Sequence, residues 1–416
     1  MTAGKVLLLL AFCALPALAW AQGPAPGSGE PPPAYGLWTA EEWKRARSFS
    51  PLLPPPLNPT NALGDNTEAA RLGHELFFDE GMSPRGFSCA SCHKPELGFT
   101  DGLKTGNTIE PLERNVMTVL NTGHYRWLTW DGARDSLWHQ AVVPVENPVE
   151  MASSRLHVVK YVMRRYGPRL RKLARLPPGW ETLWPELPEA GKPGDATYDG
   201  LTATQKRAVD TVFATVLKVI AAYERRLASG ASPFDRFVAG ERTALPPEAQ
   251  KGFRHFLRFG CDICHNTPLF SDDEFHNLGL ASDPVADPGR LRGLETVKQS
   301  PFRGTGRFAD AEPFVRPEDY RSGASLEGAF RTPSLRELEK TAPYGHNGSV
   351  ATLEDWLDHY VAVTNGEVTD FAGRLDDALP TLRPTDAERR ELIAFLRSLN
   401  SDYHSKWTHD PGAGSR

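Results

Sequence analysis

Residues 87–94 read FSCASCHK and residues 259–266 read FGCDICHN, so the pattern C-x-x-C-H occurs twice and takes up four of the five cysteines. The fifth, Cys13, lies in an apolar run from Val6 to Leu18 that follows Lys5 and ends before Ala19-Trp20-Ala21. That order is a secretory leader with a small-residue cleavage site, so residues 1–21 are expected to be a signal peptide and the location periplasmic. Phe12 ahead of Cys13 is too bulky for a lipoprotein cleavage site. The mature chain then keeps Cys89, Cys92, Cys261 and Cys264, with no cysteine left for a disulfide elsewhere.

Three chemistries compete for a C-x-x-C pair. A redox dithiol needs one pair beside a strand-helix unit, and a structural zinc site gathers two pairs at closer spacing than Cys89 and Cys261. Neither accounts for the histidine that follows both pairs. In C-x-x-C-H the thiols form thioethers with haem vinyl groups, and the adjacent imidazole becomes an axial iron ligand. Cys89, Cys92 and His93 would hold one covalent haem c, and Cys261, Cys264 and His265 a second.

The remaining composition is globular, with 40% hydrophobic and 24% charged residues. A net charge of -5 offers no basic face for nucleic acid. No stretch after the leader approaches the roughly 20 apolar residues of a membrane span. Residues 22–60 are rich in Pro and Gly and read as an irregular arm, and a second break runs from Pro177 to Gly200. Val209, Val212, Phe213, Val216, Leu217, Ile220 and Tyr223 recur at helical spacing between Thr204 and Leu227. Pro246-Pro247-Glu248 opens a helix that leads into the second motif. Thr385 caps a closing helix in which Leu392, Phe395, Leu396 and Leu399 share a face. Strand patterns are scarce. The expected fold is mainly α, two c-type cytochrome domains packed around two covalent haems: 61–240 with the first haem, 241–402 with the second, and a tail from 403 to 416.

The stretches LGHELFFDEGMSPRGFSCASCH, ERNVMTVLN, WDGARDSLWHQAVVPVENPVEM, SPFDRF, FHNLG and FRTPSLRELEKTAPYGHNGSVATLEDW together resemble the bacterial di-haem cytochrome c peroxidase family, its MauG-like enzymes included. The resemblance covers most of the chain between residues 60 and 400. It implies that hydrogen peroxide reacts at the first haem, that the second supplies or stores electrons, that a tryptophan bridges the two, and that a calcium ion lies between them. It implies Trp130 as the bridging indole, Gln140 and Glu150 beside the first haem on its reacting side, and Asn115, Thr341 and Pro343 as calcium ligands. It also implies a homodimer in many members. A carboxyl at position 150 suits peroxide chemistry, because one oxygen must lose a proton and the other gain one as the O–O bond breaks. Without the resemblance, Glu150 reads as an ion-pair partner for a neighbour such as Arg155, and Trp130 as core.

Two departures sharpen the reading. In many of these peroxidases a histidine after the first motif caps the first iron until the second is reduced; here no histidine stands between His93 and His124. The second haem of the usual peroxidase takes a methionine, and this chain has none beyond Met163. Thr352 and Asp355 form a capping box, and the helix that follows aligns Leu353, Trp356, Leu357 and Tyr360 on one stripe. Tyr360 therefore faces inward, at the position of the family's methionine, which is the MauG-like arrangement. His359 lies about 100° around the same helix, and His276 and His346 stay open as competitors. A phenolate favours higher iron oxidation states than a thioether does.

The expected activity is a periplasmic di-haem oxidoreductase that stores oxidising equivalents from hydrogen peroxide and oxidises a partner protein side chain. The methanobactin-associated MbnH-like enzymes are a candidate subgroup. The alternatives are an ordinary cytochrome c peroxidase fed by a small redox protein, cytochrome or cupredoxin, and a di-haem electron carrier without chemistry of its own.

Overall fold

The computed structural model describes residues 38–281, 286–313, 317–320 and 322–412. The signal peptide read at 1–21 lies outside them. The described chain is mainly helical, with one two-residue antiparallel ladder that pairs Phe275 with Arg331 and His276 with Phe330.

Two apolar clusters organise the helices. The first gathers Thr67–Phe78, Arg155–Leu173 and Ala203–Glu224. The last of these has the helical stripe expected from Thr204 onward, and its N-terminus is closed by a reciprocal capping box between Thr202 and Gln205. Gly73 lets it cross Thr67–Phe78 in direct contact, because a Cβ there would lie 2.1 Å from the Val219 carbonyl oxygen. The break from Pro177 to Gly200 is tied back by Lys160, whose buried ammonium donates to the carbonyls of Trp184, Pro185 and Leu187 at 2.9–3.2 Å.

In the second cluster, Pro247–Arg258 packs against Asp386–Arg397. Gly252 makes that crossing: a Cβ would meet the Glu391 carbonyl oxygen at 1.9 Å. Phe234, Phe253, Phe256, Phe270 and Phe395 are wholly buried around it, with ring centroids 5.2–6.4 Å apart. Truncating one such ring to alanine costs about 3–5 kcal/mol.

Both ends of the described chain depart from the sequence expectation. Within the segment read as an irregular arm, Ala40–Ser48 is a helix with a Thr39–Glu42 capping box. Trp38, Trp43, Ala46 and Phe49 dock on the second cluster, where Phe49 stacks on Phe270 at 4.9 Å. The residues after Leu399 cross the other way: Tyr403 and Trp407 join the first cluster. Each terminus thus packs against the half of the molecule more distant in sequence. Among the described residues no helix is long and apolar enough to cross a membrane.

Candidate functional site

Both C-x-x-C-H motifs fold alike. Cys89–Ser91 and Cys261–Ile263 are single 3-10 turns, and all four thiols are free. The turn brings each imidazole under its own loop, where Nδ1–H donates to a backbone carbonyl: His93 to Phe99 at 3.1 Å and His265 to Phe270 at 2.6 Å. That bond fixes the tautomer and leaves Nε2 with its lone pair free for a metal. Burial pushes the Cys92 thiol up to about 11 and the Cys261 thiol to about 12, so both are held neutral.

Around the second motif opens a large apolar cavity lined by Cys261, Cys264, His265, Trp356, Leu357 and Tyr360. The Thr352–Asp355 box forms as expected and starts the helix Leu353–Thr364, which turns Leu353, Trp356, Leu357 and Tyr360 onto the cavity wall. The Tyr360 ring stands at 89° to that of Trp356, and burial beside Cys261 and Cys264 pushes its phenol up. His359 points elsewhere and bonds the Leu278 carbonyl at 2.8 Å. His276 lines the cavity, but both ring nitrogens are taken, by Asp272 at 2.9 Å and Asp376 at 2.7 Å. His346 also lines it, stacked flat on Phe330 at 3.5 Å.

The same cavity is also lined by Trp130, Asn115, Thr341 and Pro343. Trp130 Nε1 donates to the Asn115 backbone carbonyl at 2.9 Å, and its own carbonyl accepts from Arg331 N at 2.8 Å. The Asn115 amide nitrogen donates to the Leu103 carbonyl, which leaves its amide oxygen as the group suited to a hard cation.

Glu150 lies near the first motif, close enough to influence Cys92. Burial pushes its carboxyl up, against the Asn147 amide at 2.6 Å and the charge of Arg134. Arg155, the alternative ion-pair partner, is bound instead to Glu146 and Asp210. Gln140 ends the short helix Leu137–Gln140, ten residues before Glu150 in the chain.

These residues fit a haem at each motif. The second has a covered apolar pocket with two thiols, a free imidazole nitrogen and a phenol. Near the first, Asp101 Oδ2, Arg134 Nε and Glu224 Oε2 are buried without a hydrogen-bond partner, the mark of a site built around a polar-edged group. Sequence reasoning missed these three. Glu224 was legible in principle, as a charge on the buried face of an apolar helix, four residues after Ile220; burial pushes it up to about 8.

The sequence pattern of the family described as "Di-haem cytochrome c peroxidase" matches residues 67–243. The chain is 33% identical over 339 residues to the methylamine utilization protein MauG of Methylorubrum extorquens, covering 80% of this chain and 79% of that protein. It is 32% identical over 366 residues to the cytochrome-c peroxidase IdrP1 of Denitromonas iodatirespirans, covering 85% and 87%. Among solved structures, a MauG-like protein associated with microbial copper homeostasis superposes with a TM-score of 0.60 at 26% identity, over 86% of this chain and 97% of that one. The di-haem peroxidase BthA of Burkholderia thailandensis has the same fold, with a TM-score of 0.60 at 22% identity over 83% and 89%.

Proposed function

Because the chain belongs to the di-haem cytochrome c peroxidase family, enzymes that carry two haem c groups and use peroxide as oxidant, we propose that it is a periplasmic oxidoreductase of the MauG-like kind. It reacts with hydrogen peroxide at a first site around His93, stores oxidising equivalents across two sites, and draws electrons from a side chain of a partner protein. When bound, the haems supply the iron that accepts the oxidising power of peroxide. Everything else is the work of the chain.

Cys89 and Cys92, then Cys261 and Cys264, anchor the two groups, and His93 and His265 present Nε2 to them. Each apolar cluster supports one cytochrome-like half. Glu150, whose carboxyl is raised by burial, acts as the carboxylate that takes a proton from one peroxide oxygen and then as the acid that returns it to the other. Gln140 orients the peroxide. Trp130, anchored on Asn115, spans the space between the two sites, and the oxygens of Asn115, Thr341 and Pro343 hold a calcium ion beside it.

One observation carries the choice within the family: Tyr360 is on the cavity wall beside Cys261 and Cys264, in a chain with no methionine after Met163. A phenol ligand suits storage of oxidising power rather than easy delivery of electrons. The cytochrome-c peroxidase relatives favour the ordinary peroxidase reading instead. The haem-loaded protein, mixed with peroxide in its oxidised form and without a donor, is expected to enter a lasting state two electrons more oxidised, seen by optical and electron paramagnetic resonance spectra. A need for prior reduction, with turnover only on a reduced cytochrome, would establish the ordinary peroxidase. No response to peroxide in either form would leave an electron carrier.

A further inference from the structure

The segment after Leu399 is a strap across the first site. Tyr403 Oη donates to the Pro95 carbonyl at 2.9 Å, two residues beyond His93. The His409 carbonyl meets His74 Nε2 at 2.8 Å, and the Trp407 carbonyl accepts from Tyr223 Oη at 2.7 Å. Together these bonds place an indole at the end of a row of rings that begins at His93. The His93 ring is 6.3 Å from Phe77, Phe77 is 5.1 Å from Tyr223, and Tyr223 is 6.4 Å from Trp407. His74 closes a parallel step, stacked on Tyr223 at 4.7 Å and edge-on to Trp407 at 5.7 Å.

We propose that Trp407 is the outlet of this row: oxidising equivalents from the first site leave the molecule there, to a one-electron donor that docks on the strap. The proposal rests on the peroxide reading above and adds the place where the electron enters. Chemistry selects the residue. Removing an electron from an aromatic ring in a protein becomes easy when a proton can leave with it. Phe77 has none to lose. Tyr223 is wholly buried and its hydroxyl is spent on a carbonyl oxygen, which cannot take the proton; burial pushes that phenol far up. The hydroxyl of Tyr403 is likewise spent on a carbonyl. Trp407 is half-buried and reaches solvent. The Lys406 ammonium, 5.2 Å from its ring centre, opposes a positive charge on the indole, so the N–H proton departs to water with the electron.

The balance closes. Hydrogen peroxide takes two electrons and two protons to give two waters. Each oxidation of Trp407 supplies one electron and one proton as its N–H bond is lost. A donor, such as a phenol or indole side chain of a partner protein, restores both to Trp407 and is itself oxidised by one electron.

The test uses the full-length haem-loaded protein, oxidised by peroxide without any donor. Freeze-quenched paramagnetic resonance on protein with deuterated tryptophan is expected to show a tryptophan radical, and peptide mass spectrometry to find added oxygen on Trp407. Trp407→Phe keeps the ring packing; it should lose both signals, leave the spectra before peroxide unchanged, and lengthen the life of the oxidised state. Tyr223→Leu should act the same way if it folds, and Trp407→Phe decides the matter if it does not. An oxidised state that forms normally and decays at the wild-type rate in Trp407→Phe, with oxygen added at other aromatic residues, overturns the route alone. Absence of any oxidised state in the wild type removes the peroxide reading and the route with it.

Discussion

Trp130 gives its indole N–H to the backbone carbonyl of Asn115 at 2.9 Å, so the ring of the WDG loop is held at a fixed angle on the wall of the cavity that Tyr360 also lines. A core tryptophan would need only a shape to fill. This one is tethered through its polar edge, and the tether is a residue whose own amide nitrogen is bonded to the Leu103 carbonyl.

Trp130→Phe keeps a ring and drops the tether. The lost bond and the stranded carbonyl should lower stability by about 1 kcal/mol, read from denaturant unfolding, with both haems still attached. If Trp130 joins the two sites, peroxide should then alter the spectrum of the first site alone. A second site that still responds in step would show that the indole is merely structural.

Glu150 has its alternative ion-pair partner removed, since Arg155 is already bound to Glu146 and Asp210. Glu150→Gln preserves size and the contact with Asn147 while abolishing proton transfer. Stopped-flow mixing with peroxide should show oxidation slowed by about 10² to 10⁴ fold, the range for a lost general acid-base group. Haem content and the spectra before mixing should not change. A rate within a factor of a few of wild type would assign the proton work to another group.

Local patterns made much of this legible. The caps at Thr352 and Thr385 and the stripe ending in Tyr360 each depend on residues a few positions apart, and each forms as the sequence suggests. What the sequence concealed depends on distant partners. Nothing within Ala40–Ser48 announces that Trp38 will lie 4.9 Å from Phe253, and nothing near Trp407 announces Tyr223. His276 looked like a candidate iron ligand because Asp376, which takes its Nδ1, is a hundred residues further on. Short amphipathic pieces at the termini carry too little periodicity to declare a helix or a docking face without those partners.

Asp235 of SPFDRF and Arg336 of FRTPSLRELEK form a buried pair, with Nη1 2.8 Å from Oδ2, that ties the helix Pro233–Val238 to the second apolar cluster. Burial alone would push the Asp235 carboxyl up, but the hydrogen bonds and charge of Arg336 outweigh it and hold it below the usual range. A carboxyl lowered on folding contributes stability above its unfolded pKa, about 3.9, and that contribution fades as pH falls through the lower folded value. Asp235→Asn, which strands a buried guanidinium, should cost about 3 kcal/mol at pH 7. In urea titrations the gap between wild type and variant should stay constant down to the ordinary carboxylate range and narrow below it. A gap that closes near neutral pH would mean that another group is responsible.

Tyr360 divides the leading readings, and its position allows a sharper test than deletion alone. Tyr360→Phe keeps the ring beside Trp356 and removes only the hydroxyl, which hydrogen-bonds with Trp356 and feels the nearby Cys261 and Cys264. If that oxygen ligates the second iron, the low-spin spectrum of the second haem should change while both thioethers survive, and denaturing mass spectrometry should still count two haems. Tyr360→Met should restore six-coordination and raise the reduction potential of that haem, because a thioether stabilises ferrous iron where a phenolate stabilises the ferric and higher states. The methionine variant should lose the lasting two-electron oxidised state and gain turnover with a reduced cytochrome, converting storage into delivery. An unchanged second-haem spectrum in Tyr360→Phe would move the ligand to His346, since the nitrogens of His276 are spent on two carboxylates and His359 is bonded to Leu278. The MauG-like assignment would then lose its main support, and the ordinary peroxidase would become the better account of the chain.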